Sequence, residues 1–274
     1  MSAPGVSTSQ VETKLGMLKE RGIGALIGYL PAGFPDLQTS IEAAVALAES
    51  GVDIIELGLP YSDPVMDGPV IQEATVAALS NGFKIADGLR AVKEITARVD
   101  VPVLVMTYWN PVLQFGVTEF AGELKKAGGA GLITPDLIPD EAAQWLEVSE
   151  KFQLDRVFLA APSSSSVRLE RTTELSRGFV YAVSTMGVTG ARTDVDSAAR
   201  GLVQRLRVAG CEFTCVGLGI SQPEHVTEVL TYADGAIVGS AFVKALARGG
   251  ISELRELATS LAAAAHAERP VDSD

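Results

Sequence analysis

The chain has 274 residues, 47% of them apolar and 20% charged, which suits one large folded domain or two small ones and argues against disorder. Its formal net charge of −12 repels phosphate backbones and excludes nucleic acid as a natural partner. Cys211 and Cys215 form no disulfide framework, and His225 and His266 stand too far apart for a metal-ligand cluster, so the expectation is a protein of the reducing cytosol without a metal site.

In chain order, residues 1–10 are rich in Ser, Thr, Pro and Gly and lack the basic start and apolar run of a signal peptide; they read as a flexible tail. A helix at 11–21 precedes a first strand at 25–30, which is followed by a helix at 37–49 and a second strand at 53–59. Helices at 70–80 and 86–98 lead to a strand at 101–107, and a helix at 116–126 leads to a strand at 131–134. The pattern continues with a helix at 141–152 and strands at 156–160 and 179–183, then a helix at 194–207 and a strand at 214–218. A helix at 224–230, a strand at 235–238, an Ala-rich closing helix at 251–267 and a frayed tail at 268–274 complete the chain. No apolar run approaches the roughly 20 residues that span a bilayer, so no membrane partner is expected.

Continuously apolar strands joined by helical connections imply parallel pairing with both sheet faces covered. Eight such units favour a closed barrel over an open sheet. The expected fold is therefore α/β: a single (β/α)8 TIM barrel over 1–274, with an extra N-terminal helix and additional helices. In that architecture the active site lies on the loops after the strands, which directs attention to the residues at each strand's C-terminal end.

In the second strand, alternation puts Ile54, Glu56 and Gly58 on one face and Ile55, Leu57 and Leu59 on the other. The three large apolar residues face the helices, so Glu56 points into the barrel, where lost hydration raises its pKa and suits it to proton transfer; a buried structural Glu with a paired donor is the alternative. The loop at 60–69, with three prolines and a glycine, presents Asp63 and Asp67 over the same mouth. Helix or turn capping is the favoured reading for Asp63, while for Asp67 capping and catalysis stand equal.

Glycine-rich runs follow the sixth strand at 184–192 (Ser-Thr-Met-Gly-Val-Thr-Gly-Ala-Arg), end the seventh at 217–221 (Gly-Leu-Gly-Ile-Ser), and end the eighth and open a helix at 235–240 (Gly-Ala-Ile-Val-Gly-Ser). Barrels bind phosphate at such loops through backbone N–H groups and a helix N-terminus, and Ser240 is expected to donate a hydroxyl and cap that helix. Each run alone also fits an ordinary turn. Tyr29, Tyr108, Trp109 and Tyr181 gather at or near the mouth and hint at a flat apolar ligand.

The run Glu56-Leu-Gly-Leu-Pro-Tyr-Ser-Asp-Pro-Val-Met-Asp-Gly-Pro69 closely resembles the signature of tryptophan synthase alpha chains, and the runs at 106–111, 134–137, 184–190, 216–221 and 238–241 are similar to that family's other segments. The resemblance is collinear from about Gly24 to the closing helix. It implies retro-aldol cleavage of indole-3-glycerol phosphate, with Glu56 as general acid/base and Asp67 as the second catalytic carboxylate, stabilising the indole N–H. It implies a positional role for Tyr181, indole-wall positions at Tyr29, Tyr108 and Ile133, and phosphate contacts at Thr189, Gly190, Gly219, Gly239 and Ser240. It further implies no cofactor in this chain and a pyridoxal-phosphate-dependent beta subunit as partner in an alpha2beta2 heterotetramer, docked at 60–63, 107–110 and 134–138. Thr185, Met186 and Trp109 depart from other members. A sugar-phosphate or phosphoribosyl isomerase barrel would share the phosphate loops, and the run at 60–69 speaks against it. A regulatory subunit without turnover is the non-enzymatic alternative, against which the retention of Glu56 and Asp67 speaks.

Overall fold

A computed structural model describes residues 9–183, 192–217 and 219–268. Its first half runs α1 (Gln10–Glu20), β1 (Ala25–Pro31), α2 (Leu37–Glu49), β2 (Ile54–Gly58), α3 (Pro69–Ser80), α4 (Ile85–Thr96), β3 (Val103–Met106), α5 (Trp109–Phe115), α6 (Val117–Lys126) and β4 (Gly131–Ile133). Its second half runs through a 3-10 turn (Pro139–Glu141) to α7 (Ala143–Phe152), β5 (Asp155–Val157), β6 (Leu159–Ala160), α8 (Ser166–Leu175), β7 (Val180–Val183), α9 (Arg192–Val208), β8 (Thr214–Gly217), α10 (Pro223–Leu230), β9 (Gly235–Val238) and α11 (Ser240–Ala265).

The strands pair in parallel in the order β5-β4-β3-β2-β1-β9-β8-β7-β6. The two ends of this sheet, β5 and β6, are separated in sequence by Phe158 alone. They are halves of the one strand expected at 156–160: its first half pairs with β4 and its second with β7. The sheet therefore comes round on itself as a TIM-type barrel, with the helices outside.

Alternation along each strand splits the core in two, as period-2 geometry requires. Ile55, Leu57 and Leu59 belong to the outer cluster between sheet and helices, while Ile54 joins Ile27, Leu104, Val157, Cys215 and Ile237 inside the barrel. Helix α1 closes the base of that interior with Val11, Leu15 and Leu18, all buried. It begins at Gln10, capped by Ser9, whose Oγ accepts the Glu12 N–H at 3.0 Å and donates to Asp155 Oδ2 at 2.8 Å. Buried carboxylates also tie other strand starts: Asp53 accepts the Leu26 N–H at 2.9 Å and Asp234 the Thr214 N–H at 2.8 Å.

Two of the shifts from the expected boundaries change how elements join. The third strand ends at Met106 rather than at 107, because Tyr108 is the N-cap of α5, a short helix that Gly116 (φ 99°) separates from α6. The closing helix is the second half of a longer one: α11 starts at Ser240 and bends at Gly250 (φ 64°, ψ −155°), and the Gly24 N–H then donates to the Ala265 carbonyl at 2.9 Å. Among the described residues, no helix is long and apolar enough to cross a membrane.

Candidate active site

At the C-terminal ends of the strands lies a cavity of about 180 Å³ whose lining includes Tyr29, Glu56, Asp67, Tyr181, Gly219, Gly239 and Ser240. These seven residues come from β1, β2 and its loop, β7, and the segments after β8 and β9, so barrel closure alone assembles them. Apolar walls are supplied by Met66, Ile71, Met106, Ile220 and Ile237. Met106 and Ile237 are legible by strand alternation; Met66 and Ile71 flank Asp67 in a loop and a helix, where alternation gives no guide.

Glu56 sits opposite Tyr29 on β1 and Leu104 on β3 and is 1% exposed. Its Oε2 has no hydrogen-bond partner among the described residues. Burial pushes its carboxyl up to about 8. Glu56 is thus an acid near neutrality that still faces a cavity.

Asp67 is half-buried beside it. Burial raises its carboxyl above the ordinary range, opposed by a hydrogen bond from the Tyr108 hydroxyl to Oδ1 at 3.2 Å. The capping alternative does not hold for either aspartate on α3: its N-cap is Gly68, without any side-chain cap bond. Asp63 instead accepts the Ser62 hydroxyl at 2.6 Å in an exposed turn.

The tyrosines explain several glycines. A Cβ on Gly58 would stand 2.3 Å from Tyr29 Oη, and one on Gly217 would stand 2.7 Å from Tyr181 Oη. Both rings therefore lie across positions where only glycine fits. Burial holds both hydroxyls well above the usual tyrosine value, with the charges of Asp67 and Glu56 adding for Tyr29 and that of Glu56 for Tyr181.

Gly219 has φ 61° and open space around its missing Cβ, so its backbone is accessible to a ligand. Ser240 is the first residue of α11, with Gly239 as N-cap and no side-chain cap bond, so the expected capping role is absent. Its position still leaves the free N–H groups of the helix's first turn beside the cavity. No lysine or arginine lines the cavity among the described residues.

Two expected wall residues border the cavity's surroundings. Ile133 is fully buried in the barrel interior, and Tyr108 lies behind Asp67 rather than on the lining. Thr189 and Gly190, with Thr185, Met186 and the rest of 184–191, lie outside the described residues. Among the described residues, no group of three or more His, Cys, Asp or Glu side chains could hold a metal.

The sequence pattern of the tryptophan synthase alpha chain family matches residues 15–270. The chain is 67% identical to the tryptophan synthase alpha chain of Leifsonia xyli subsp. xyli over 254 residues, covering 93% of this chain and 97% of that one. It is 57% identical to that of Mycobacterium intracellulare, covering 89% and 90%. Among solved structures, one of Mycobacterium tuberculosis tryptophan synthase superposes with a TM-score of 0.90 at 52% identity, covering 95% of this chain and 99% of that one. A chain from the tryptophan synthase a2b2 complex of Pyrococcus furiosus superposes with a TM-score of 0.79 at 36% identity, covering 88% and 97%.

Proposed function

The chain belongs to the tryptophan synthase alpha chain family, and on that premise we propose how its cavity carries out the family's reaction. That reaction is a lyase step of tryptophan biosynthesis, the retro-aldol cleavage of indole-3-glycerol phosphate to indole and glyceraldehyde 3-phosphate. The bond from indole C3 to the glycerol chain breaks only after C3 has gained a proton. Glu56 enters the cycle protonated and delivers that proton. Positive charge then spreads to the indole nitrogen, where the ionised Asp67 accepts the N–H and stabilises it. Glu56, now a carboxylate, takes the proton of the glycerol hydroxyl next to the breaking bond. The hydroxyl carbon becomes the aldehyde, the bond electrons return to the ring, and Glu56 is protonated again for the next turn.

The observation that carries this reading is the buried carboxyl of Glu56, raised to about 8 in the same cavity as Asp67. Tyr29 and Tyr181 flank the two acids, and Gly219, Gly239 and the start of α11 offer backbone N–H groups to the substrate phosphate, which needs no lysine there. The family resemblance adds Thr189 and Gly190 to that phosphate set. The cycle needs only a proton carrier and an ion partner, so this chain is assigned no cofactor; pyridoxal phosphate belongs to the beta subunit. An alpha2beta2 heterotetramer acting in the cytosol is the assembly we infer, supported by the a2b2 complex of the Pyrococcus furiosus relative.

With indole-3-glycerol phosphate as substrate, Glu56→Gln should lower kcat about a thousandfold, within the range of general acid–base effects. The parent should lose activity as pH rises through about 8, where Glu56 loses its proton. Cleavage by the variant at the parental rate would remove Glu56 from the role of acid/base.

A further inference from the structure

The loop between β2 and α3 carries Asp67 and is held mainly by side chains, Gln72 Nε2 donating to the Asp67 carbonyl at 2.9 Å and Asn110 Nδ2 to the Tyr61 hydroxyl at 3.2 Å. Between 60 and 67 it forms no backbone–backbone hydrogen bond among the described residues, and the one backbone N–H with a protein acceptor is that of Met66. That acceptor is the Tyr108 hydroxyl, at 2.9 Å, and the same hydroxyl donates to Asp67 Oδ1 at 3.2 Å. We infer that Tyr108 is a positioning residue that fixes the Asp67 carboxylate, holding Oδ1 so that Oδ2 is presented to the substrate N–H. The inference rests on the role proposed above for Asp67.

Three features of Tyr108 suit it to this task. Its ring is 5% exposed and packs against Tyr61 with centroids 5.3 Å apart, so it stands firm behind the loop. Burial pushes its hydroxyl up to about 12, so it remains a donor throughout the working pH range. It also stands at the N-cap position of α5, whose first residue, Trp109, donates its N–H to the Asp136 carboxylate at 2.9 and 3.1 Å. The loops after β2, β3 and β4 are thereby linked in one chain of contacts, with Asp67 at its end. Asp67 Oδ2 takes no hydrogen bond among the described residues and is left for the ligand.

Tyr108→Phe in the full chain keeps the ring and deletes only the two hydrogen bonds. With indole-3-glycerol phosphate, kcat should fall about tenfold with KM within about twofold, because the lost interaction matters where charge develops. The acidic limb of the kcat/KM profile should move up by about one pH unit, since the bond from Tyr108 favours ionised Asp67. In an Asp67→Asn background, Tyr108→Phe should cause no further loss, as expected of a residue acting through Asp67. A further tenfold loss there, or an unmoved acidic limb in the single variant while Asp67→Asn is inactive, would overturn the inference. Full activity of Asp67→Asn would instead overturn the role of Asp67, and the positioning role with it.

Discussion

Glu56 makes its chemistry possible by the same burial that weakens the fold. Its carboxyl is raised from 4.5 to about 8 in the folded chain, so between those values the native state keeps a proton that the unfolded chain releases. The sign follows: full stability below pH 4.5, then a decline as pH rises towards 8, amounting to about 3 kcal/mol at pH 7. Glu56→Gln removes the titration, so it should be more stable than the parent by about that amount at pH 7, with the gap closing towards pH 4. Urea unfolding at several pH values measures this, and parallel curves for parent and variant would refute it. Glu56 is legible in the sequence because a strand has period 2, and the apolar trio Ile55, Leu57 and Leu59 leaves it one direction to point. Asp67 is not, because a loop has no period: in the sequence capping and catalysis stand equal, and in the fold the cap of α3 is Gly68. The contact between Tyr108 and Asp67 spans 41 residues and is set by barrel closure, which no local pattern encodes. Gly58, an inward-facing strand residue, and Gly217, in a run that also fits an ordinary turn, make room for tyrosine rings on neighbouring strands.

At the scale of elements, strands were the clearer signal because each is buried on both faces and reads as an unbroken apolar run. The break at Phe158 was hidden by that same continuity, since Val157 and Leu159 both turn inward and only the pairing partners change. Helix α8 presents just Leu169 and Thr172 as buried residues, too few for a clear helical face, and α5 is short and opens on Tyr108 at the end of an apolar strand. Helix α1 shows its purpose only in three dimensions: Val11, Leu15 and Leu18 form the floor of the barrel, at the end opposite the cavity. Leu15→Ala should therefore cost about 2–4 kcal/mol of stability through the void it leaves. Well below the melting temperature, kcat should stay within about twofold of the parent, because the void lies on the far side of the interior from Glu56. Paired thermal melts and initial-rate assays test this, and a large loss of kcat in a still-folded variant would mean that the floor and the mouth are coupled.

The whole molecule divides its labour between two ends, the base for stability and the mouth for chemistry, and three of the seven exposed large apolar side chains among the described residues follow neighbouring strands that open on the mouth. Val65 and Ile138, in the loops after β2 and β4, and Leu113, in α5 after β3, are 82%, 43% and 46% exposed, on the same neighbouring segments that the Tyr108 contacts join. A chain of net charge −12 has ample polar surface, so apolar side chains on adjoining segments around one opening favour a docking face for the beta subunit. Ile138 separates docking from catalysis, because it opens the 3-10 turn after β4 and is absent from the cavity lining. Ile138→Asp places a charge where the partner would bury it, an effect of about 1–3 kcal/mol at a central contact. The concentration of beta subunit needed for half-maximal stimulation of indole release should rise tenfold or more. Release by the free chain should stay within about twofold of the parent, since neither carboxylate is touched. Equal stimulation of parent and variant at every concentration would move the docking face away from these loops while leaving the roles of Glu56 and Asp67 intact.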